Sequence, residues 1–135
     1  MLSQSKHEEF KGETFMRLLQ TGAAIGALLL AGAPAFAADA NHGKTLYTAC
    51  QACHTEKPDA LGPSLKGVVG RKSASLEDFR YSAAMKRANL TWDEKNLTDY
   101  LKDPQGKVKG NRMPFSGFPN ASDSADVVAY LQTLK

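Results

Sequence analysis

The pentapeptide Cys50-Gln51-Ala52-Cys53-His54 constrains this chain more than any other stretch. Its pattern, C-x-x-C-H, is the attachment signature of a c-type haem. Each thiol adds across one vinyl group of a porphyrin, so two thioethers fix the macrocycle to one short length of backbone. The histidine that follows can swing its imidazole under the ring and bind iron. A haem with a proximal His serves electron transfer, gas binding or oxidant chemistry, according to what fills the sixth coordination position.

The other readings of C-x-x-C need features this chain lacks. A thioredoxin-like redox pair follows a strand in a βαβ unit, and no segment shows strand alternation. A zinc site draws on further Cys or His, and outside the motif there are only His7 and His42. A simple disulfide leaves the adjacent His without a role. Both cysteines of the chain lie in the motif, so one covalent haem accounts for them.

Residues 1–37 read as an N-terminal leader and 38–135 as the haem-binding domain. Met16-Arg17 provides a basic start, Leu18 to Ala33 is uncharged and rich in Leu, Ala and Gly, and Ala35-Phe36-Ala37 is an A-x-A cleavage signal. Pro34 breaks the helix just ahead of that site. Lys6, Glu8, Glu9, Lys11 and Glu13 mix both signs, unlike an ordinary basic n-region, which makes Met16 the alternative start. An uncleaved anchor is a further alternative, because the uncharged stretch approaches bilayer-spanning length. C-type haem is attached outside the bacterial cytoplasm, so leader and motif agree on a periplasmic protein starting at Ala38 or Asp39.

The chain has a formal net charge of +3, and the leader's Lys6, Lys11 and Arg17 balance its Glu8, Glu9 and Glu13, so residues 38–135 keep that charge. The excess suits an acidic docking partner through electrostatic steering. It is too weak and too evenly spread for nucleic acid. A single domain of this length buries only a modest core, and a porphyrin supplies part of the missing apolar area.

Helical periodicity places a first helix over about His42 to Cys53, with the haem motif on its last turn. Pro58, Gly62, Pro63, Gly67 and Gly70 make residues 55–75 a loop. A short helix follows at Ser82 to Arg87. Thr91 and Glu94 form a capping box that opens a helix to about Lys102, with Pro104 beyond its end. Gln105 to Asn120 is a loop, and a last helix runs from about Asp123 with Val127, Tyr130, Leu131 and Leu134 on its stripe. The fold class is all-α.

Three side chains are candidates for the sixth iron ligand. Met113 lies in a loop, where Pro114 keeps it out of helical conformation and where a thioether can be laid over the iron face opposite His54. Met85 lies in a helical stretch and reads more simply as a packing residue. His42, beside Gly43 at a helix start, reads as solvent-facing. A thioether is a soft ligand that favours Fe(II), and Met/His ligation raises the haem potential.

The landmarks Gly43, Tyr47, Cys50-x-x-Cys53-His54, Gly62-Pro63-Ser64-Leu65, Gly70-Arg71-Lys72, Tyr81-Ser82, Thr91-Trp92, Tyr100-Leu101, Pro104, Met113-x-Phe115 and Ala129-Tyr130-Leu131 are similar to class I cytochrome c. The bacterial cytochrome c2 and mitochondrial branch is the most similar, and the resemblance covers residues 38–135. It implies a small single-domain fold wrapped around one haem c. It implies that Cys50 and Cys53 carry the haem, with His54 and Met113 as axial ligands. The Pro63 carbonyl would accept from the His54 ring, Arg71, Tyr81 and Trp92 would hydrogen-bond the inner propionate, and Tyr100 would approach the Met113 sulfur. Gly43 would let the first and last helices cross closely against Tyr130.

Some positions depart from the mitochondrial pattern. The segment from His54 to Pro63 is shorter. Lys109 and Asn111 stand where Pro and Thr are usual, which would loosen the hold on Met113 or rewire its hydrogen bonds. Ala49, Gln105, Gly106, Pro119 and Asn120 replace lysines of the haem edge, where Arg112, Lys107 and Lys109 keep some positive charge. The expected function is that of an exported, soluble, monomeric one-electron carrier that meets membranes only through partner complexes and is not an enzyme. A peroxidase would need an open iron face, and a gas sensor would surrender Met113 to NO or CO.

Overall fold

Helix capping explains most of the element boundaries. The computed structural model describes residues 37–135, so the leader assigned to residues 1–37 lies, but for Ala37, outside the described residues. Helix α1 spans Ala40–Gln51, and the Asp39 carboxylate caps it by accepting the N–H groups of Asn41 and His42. Regular helix stops short of Cys53, but the turn continues, because the Cys53 and His54 N–H groups both donate to the Cys50 carbonyl. Helix α2 spans Ala83–Ala88 and is capped by Ser82, whose hydroxyl accepts from the Met85 N–H.

Helix α3 spans Glu94–Lys102, and its cap differs from the capping box read from the sequence. Asp93, not Thr91, is the N-cap, accepting the Asn96 N–H at 2.8 Å. Thr91 is held extended instead by an isolated bridge to Lys72, with the Trp92 N–H on the Arg71 carbonyl. That pairing takes Thr91 out of the cap, and the next good cap residue, an Asp, serves. Pro104 ends α3 as anticipated but also opens a four-residue helix, α4, at Pro104–Lys107, inside what the sequence assigned to loop. A proline has no N–H to lose in a first turn. Helix α5 spans Ala121–Leu131, starting earlier than Asp123 and ending before Leu134.

Helices α1 and α5 make the main contact, and α3 packs on both α5 and α4. Tyr47, Leu97, Tyr100, Leu101, Val127, Val128 and Leu131 are buried where these helices meet. Gly43 permits the α1–α5 crossing, but against Asp126 and Val127 rather than Tyr130. A Cβ on Gly43 would sit 1.9 Å from the Asp126 carbonyl oxygen. Tyr130 packs its ring on Tyr47 one turn further along, with centroids 5.0 Å apart. His42 faces solvent as read from the sequence, and the same crossing also gives it a partner, with its Nδ1 2.8 Å from Asp126 Oδ2 while the side chain stays half exposed. The described residues contain no strand and no helix long and apolar enough to cross a membrane.

Candidate haem-binding site

The end of α1 brings two thiols and an imidazole to one wall of a cavity of about 740 Å³. Cys50 and Cys53 are half-buried and not joined to each other. Burial, and secondarily the neighbouring Cys53, pushes the Cys50 thiol above its usual range. His54 is oriented by the loop that follows. Its Nδ1 lies 2.7 Å from the Pro63 carbonyl, so that nitrogen carries the proton and Nε2 keeps its lone pair. Burial pushes the imidazole below its ordinary value, with the Pro63 bond opposing in part. The neutral ring is the form able to bind a metal.

Gly62 completes the seat of this ring. A Cβ at that position would lie 2.6 Å from His54 Cε1, and the Gly62 N–H donates to the Cys53 carbonyl at 2.9 Å. The sequence marked Gly62 as a loop breaker and as a landmark of the family resemblance but assigned it no contact, since a close approach between a glycine and a ring eight residues earlier leaves no local pattern.

The other walls come from distant segments. Trp92 and Tyr100 are buried against one another, centroids 5.0 Å apart. Burial drives the Tyr100 hydroxyl up to about 12, so it is a donor at all ordinary pH. It points to the Met113 sulfur at 4.0 Å. Arg71 reaches the cavity with its guanidinium held by the Ser64 carbonyl at 2.7 Å and the Lys66 carbonyl at 3.0 Å. Tyr81 lines the cavity beside it, its hydroxyl pushed up mainly by burial. All nine residues singled out from the sequence therefore border one space: Cys50, Cys53, His54, Pro63, Arg71, Tyr81, Trp92, Tyr100 and Met113. Met85 lines it as well. It packs on the core, as read from the sequence, and borders the cavity too, so lining alone does not choose between the two methionines.

Two residues read from the sequence only as haem-edge charges also have partners that it did not reveal. Arg112 donates to the Arg80 carbonyl and so straps the Met113 loop to the segment before Tyr81. Lys107 is held by Asp99 at 3.1 Å, and Asp99 also pairs with Lys95 at 2.8 Å. The positive charge of Lys107 is thus engaged within the molecule, whereas Arg112, bonded only to a neutral carbonyl, and Lys109 remain exposed without an ion pair among the described residues.

The donor set fits a haem. Two unjoined thiols, a neutral imidazole with a free Nε2, an apolar enclosure and a guanidinium for a propionate are what a covalently bound porphyrin requires. An all-helical shell closed around such a wall defines a c-type haem protein.

The family model for cytochrome c matches residues 40–135. Cytochrome c2 iso-2 of Magnetospirillum fulvum is 47% identical over 87 residues, which is 63% of this chain and 91% of that protein. Cytochrome c2 of Rhodomicrobium vannielii is 44% identical over 115 residues, covering 82% and 92% respectively. Among solved structures, cytochrome cH from Methylobacterium extorquens superposes with a TM-score of 0.67 at 40% identity, over 70% of this chain and 98% of its own. The chain belongs to the cytochrome c family, class I. Its cofactor is haem c, and it is a mono-haem electron carrier.

Proposed function

We propose that residues 1–37 are a cleaved leader and that residues 38–135 form a soluble, monomeric periplasmic carrier. It shuttles single electrons between respiratory or photosynthetic complexes or periplasmic redox enzymes, and it is not itself an enzyme. The haem, when bound, supplies a one-electron change between Fe(II) and Fe(III). Cys50 and Cys53 would hold it covalently, and His54 and Met113 would bind its iron. Pro63 fixes the His54 tautomer and raises its basicity as a ligand. Arg71, Tyr81 and Trp92 offset the cost of burying a propionate charge. Trp92, Tyr100, Leu97 and Val127 exclude water from the cavity.

The observation that carries the assignment is the convergence of Met113 with the C-x-x-C-H residues on one cavity, with the Tyr100 hydroxyl directed to its sulfur. Two strong ligands and a close-packed shell would keep the iron's surroundings alike in both oxidation states, which suits a carrier. The cytochromes c2 it resembles support the same reading, as does a mildly basic surface for acidic partners.

Substitution at the two methionines tests it. Met113→Ala should abolish the near-infrared sulfur-ligation band of the ferric protein, lower the potential and open the site to CO, while the thioethers keep the haem in place. Met85→Ala should retain band and potential and cost only packing. The opposite pattern would overturn the ligand assignment. Mass spectrometry of the native protein should find an N-terminus at Ala38 or Asp39 plus one haem; retention of residues 18–34 would refute the soluble form.

A further inference from the structure

The segment that carries Met113 has no regular structure, yet one buried side chain anchors it. Asn111 is only 7% exposed. Its Nδ2 donates to the carbonyls of Pro104 and Val108, each at 2.9 Å, and its Oδ1 accepts from the Met113 N–H at 2.9 Å. Gln105 adds an outer tie, donating from Nε2 to the Asn111 carbonyl at 3.0 Å and accepting the Gly110 N–H at 3.1 Å. Both amide hydrogens and the amide oxygen of Asn111 are thereby used. They join the Met113 backbone to α4, whose Pro104 is fully buried and which packs on α3.

These bonds do not matter equally. The Pro104 carbonyl also accepts the Val108 N–H at 2.9 Å, and the Val108 carbonyl also accepts the Asn111 N–H at 3.1 Å. The Met113 N–H has no partner other than Asn111 among the described residues. Removing the Asn111 side chain therefore falls chiefly on Met113. A threonine, usual at this place in the mitochondrial type, has one donor hydrogen and cannot make both carbonyl bonds and the Met113 bond together. Where the sequence left open a loosened loop, the structure shows a braced one.

We propose that Asn111 is a positioning residue that sets how firmly Met113 is held at the haem iron. This rests on the reading of Met113 as the sixth ligand. Asn111 borders the cavity but acts through Met113, by making departure of the thioether cost a buried hydrogen-bond network.

An imidazole titration of the ferric haem protein measures this, because added imidazole binds only where the thioether has left. Its apparent dissociation constant therefore scales inversely with the population of that state. Asn111→Ala strands the Met113 N–H only while the loop is in place, so imidazole should bind about tenfold more tightly. The sulfur band should also vanish on heating before the far-ultraviolet circular dichroism melts. Asn111→Ser, which keeps an acceptor near the Met113 N–H, should fall between, and Gln105→Ala should shift affinity in the same direction but less. An Asn111→Ala protein with a lowered melting temperature and imidazole affinity within about twofold of the parent would make Asn111 merely structural and overturn the proposal. Should that variant not fold, unchanged affinity in both Asn111→Ser and Gln105→Ala would overturn it equally. Met113→Ala separates the two claims. Loss of the sulfur band there, with no effect of Asn111, sinks only the positioning role, whereas persistence of the band sinks the ligand assignment and the positioning role with it.

Discussion

Replacing Gly43 by alanine probes the crossing on which the whole shell is built. The new Cβ would lie 1.9 Å from the Asp126 carbonyl oxygen, 2.4 Å from its carbon and 2.9 Å from the Val127 nitrogen, and ordinary contact begins at 3.4 Å. These neighbours are α5 backbone, so no side chain can swing aside, and the helices must part by about 1.5 Å, the difference between 3.4 and 1.9 Å. A gap of about 0.5–1 Å already forfeits a quarter to a half of each dispersion contact across the seam, so this one forfeits at least half. Tyr47, Val127 and Leu131 are buried beside it. At roughly 2 kcal/mol for each such side chain, the loss is about 3 kcal/mol. Alanine recovers about 1 kcal/mol of helix propensity, leaving a net loss of about 2 kcal/mol. For a domain of this size that lowers the melting temperature by about 10 °C. Thermal denaturation of the haem protein, followed by circular dichroism, reads the change directly. An unchanged or raised melting temperature would show that α1 and α5 do not meet at Gly43. Gly43→Val should be worse, since a larger side chain adds to the same clash without alanine's helical advantage.

The tie between His42 and Asp126 should make stability depend on pH. The hydrogen bond to Asp126 raises the His42 pKa above its ordinary 6.5, and the same bond lowers Asp126 below its ordinary 3.8. A raised histidine stabilises fully below 6.5 and loses that contribution as pH climbs through the raised value, so the melting temperature should fall there. His42→Gln should lack that part of the decline; parallel profiles for the two proteins would refute the tie. For docking, Lys109→Glu should slow association with an acidic redox partner while leaving the absorption spectrum intact, and added salt should slow the parent moderately. Rates indifferent to both would place docking on an apolar or different face. Arg112→Glu is the less clean probe, because Arg112 also straps the loop to Arg80.

What the sequence could settle was whatever rests on short spacing. C-x-x-C-H carries its chemistry within five residues, because two thioethers and an axial ligand must share one turn of backbone. Asp39, Ser82 and Asp93 cap helices that periodicity located to within a few residues. Even locally, tertiary pairing could win: Thr91 lost its cap position to a bridge with Lys72, which lies 19 residues away. The Asn111–Met113 bond spans two residues and was legible in principle, as an Asx turn before the ligand loop.

The rest belongs to the folded molecule. The haem wall gathers Cys50, Arg71, Trp92 and Met113 from segments that have no pattern in common, and only resemblance to a family, not periodicity, placed them together. That Gly43 meets Asp126, that Gly62 seats His54, and that Asp99 takes up Lys107 are outcomes of packing at ångström separations. Residue type sets which bonds and ligands are available, but the partners of a side chain depend on which distant backbone the close-packed core brings beside it. Such long-range proximity is a property of the three-dimensional packing alone.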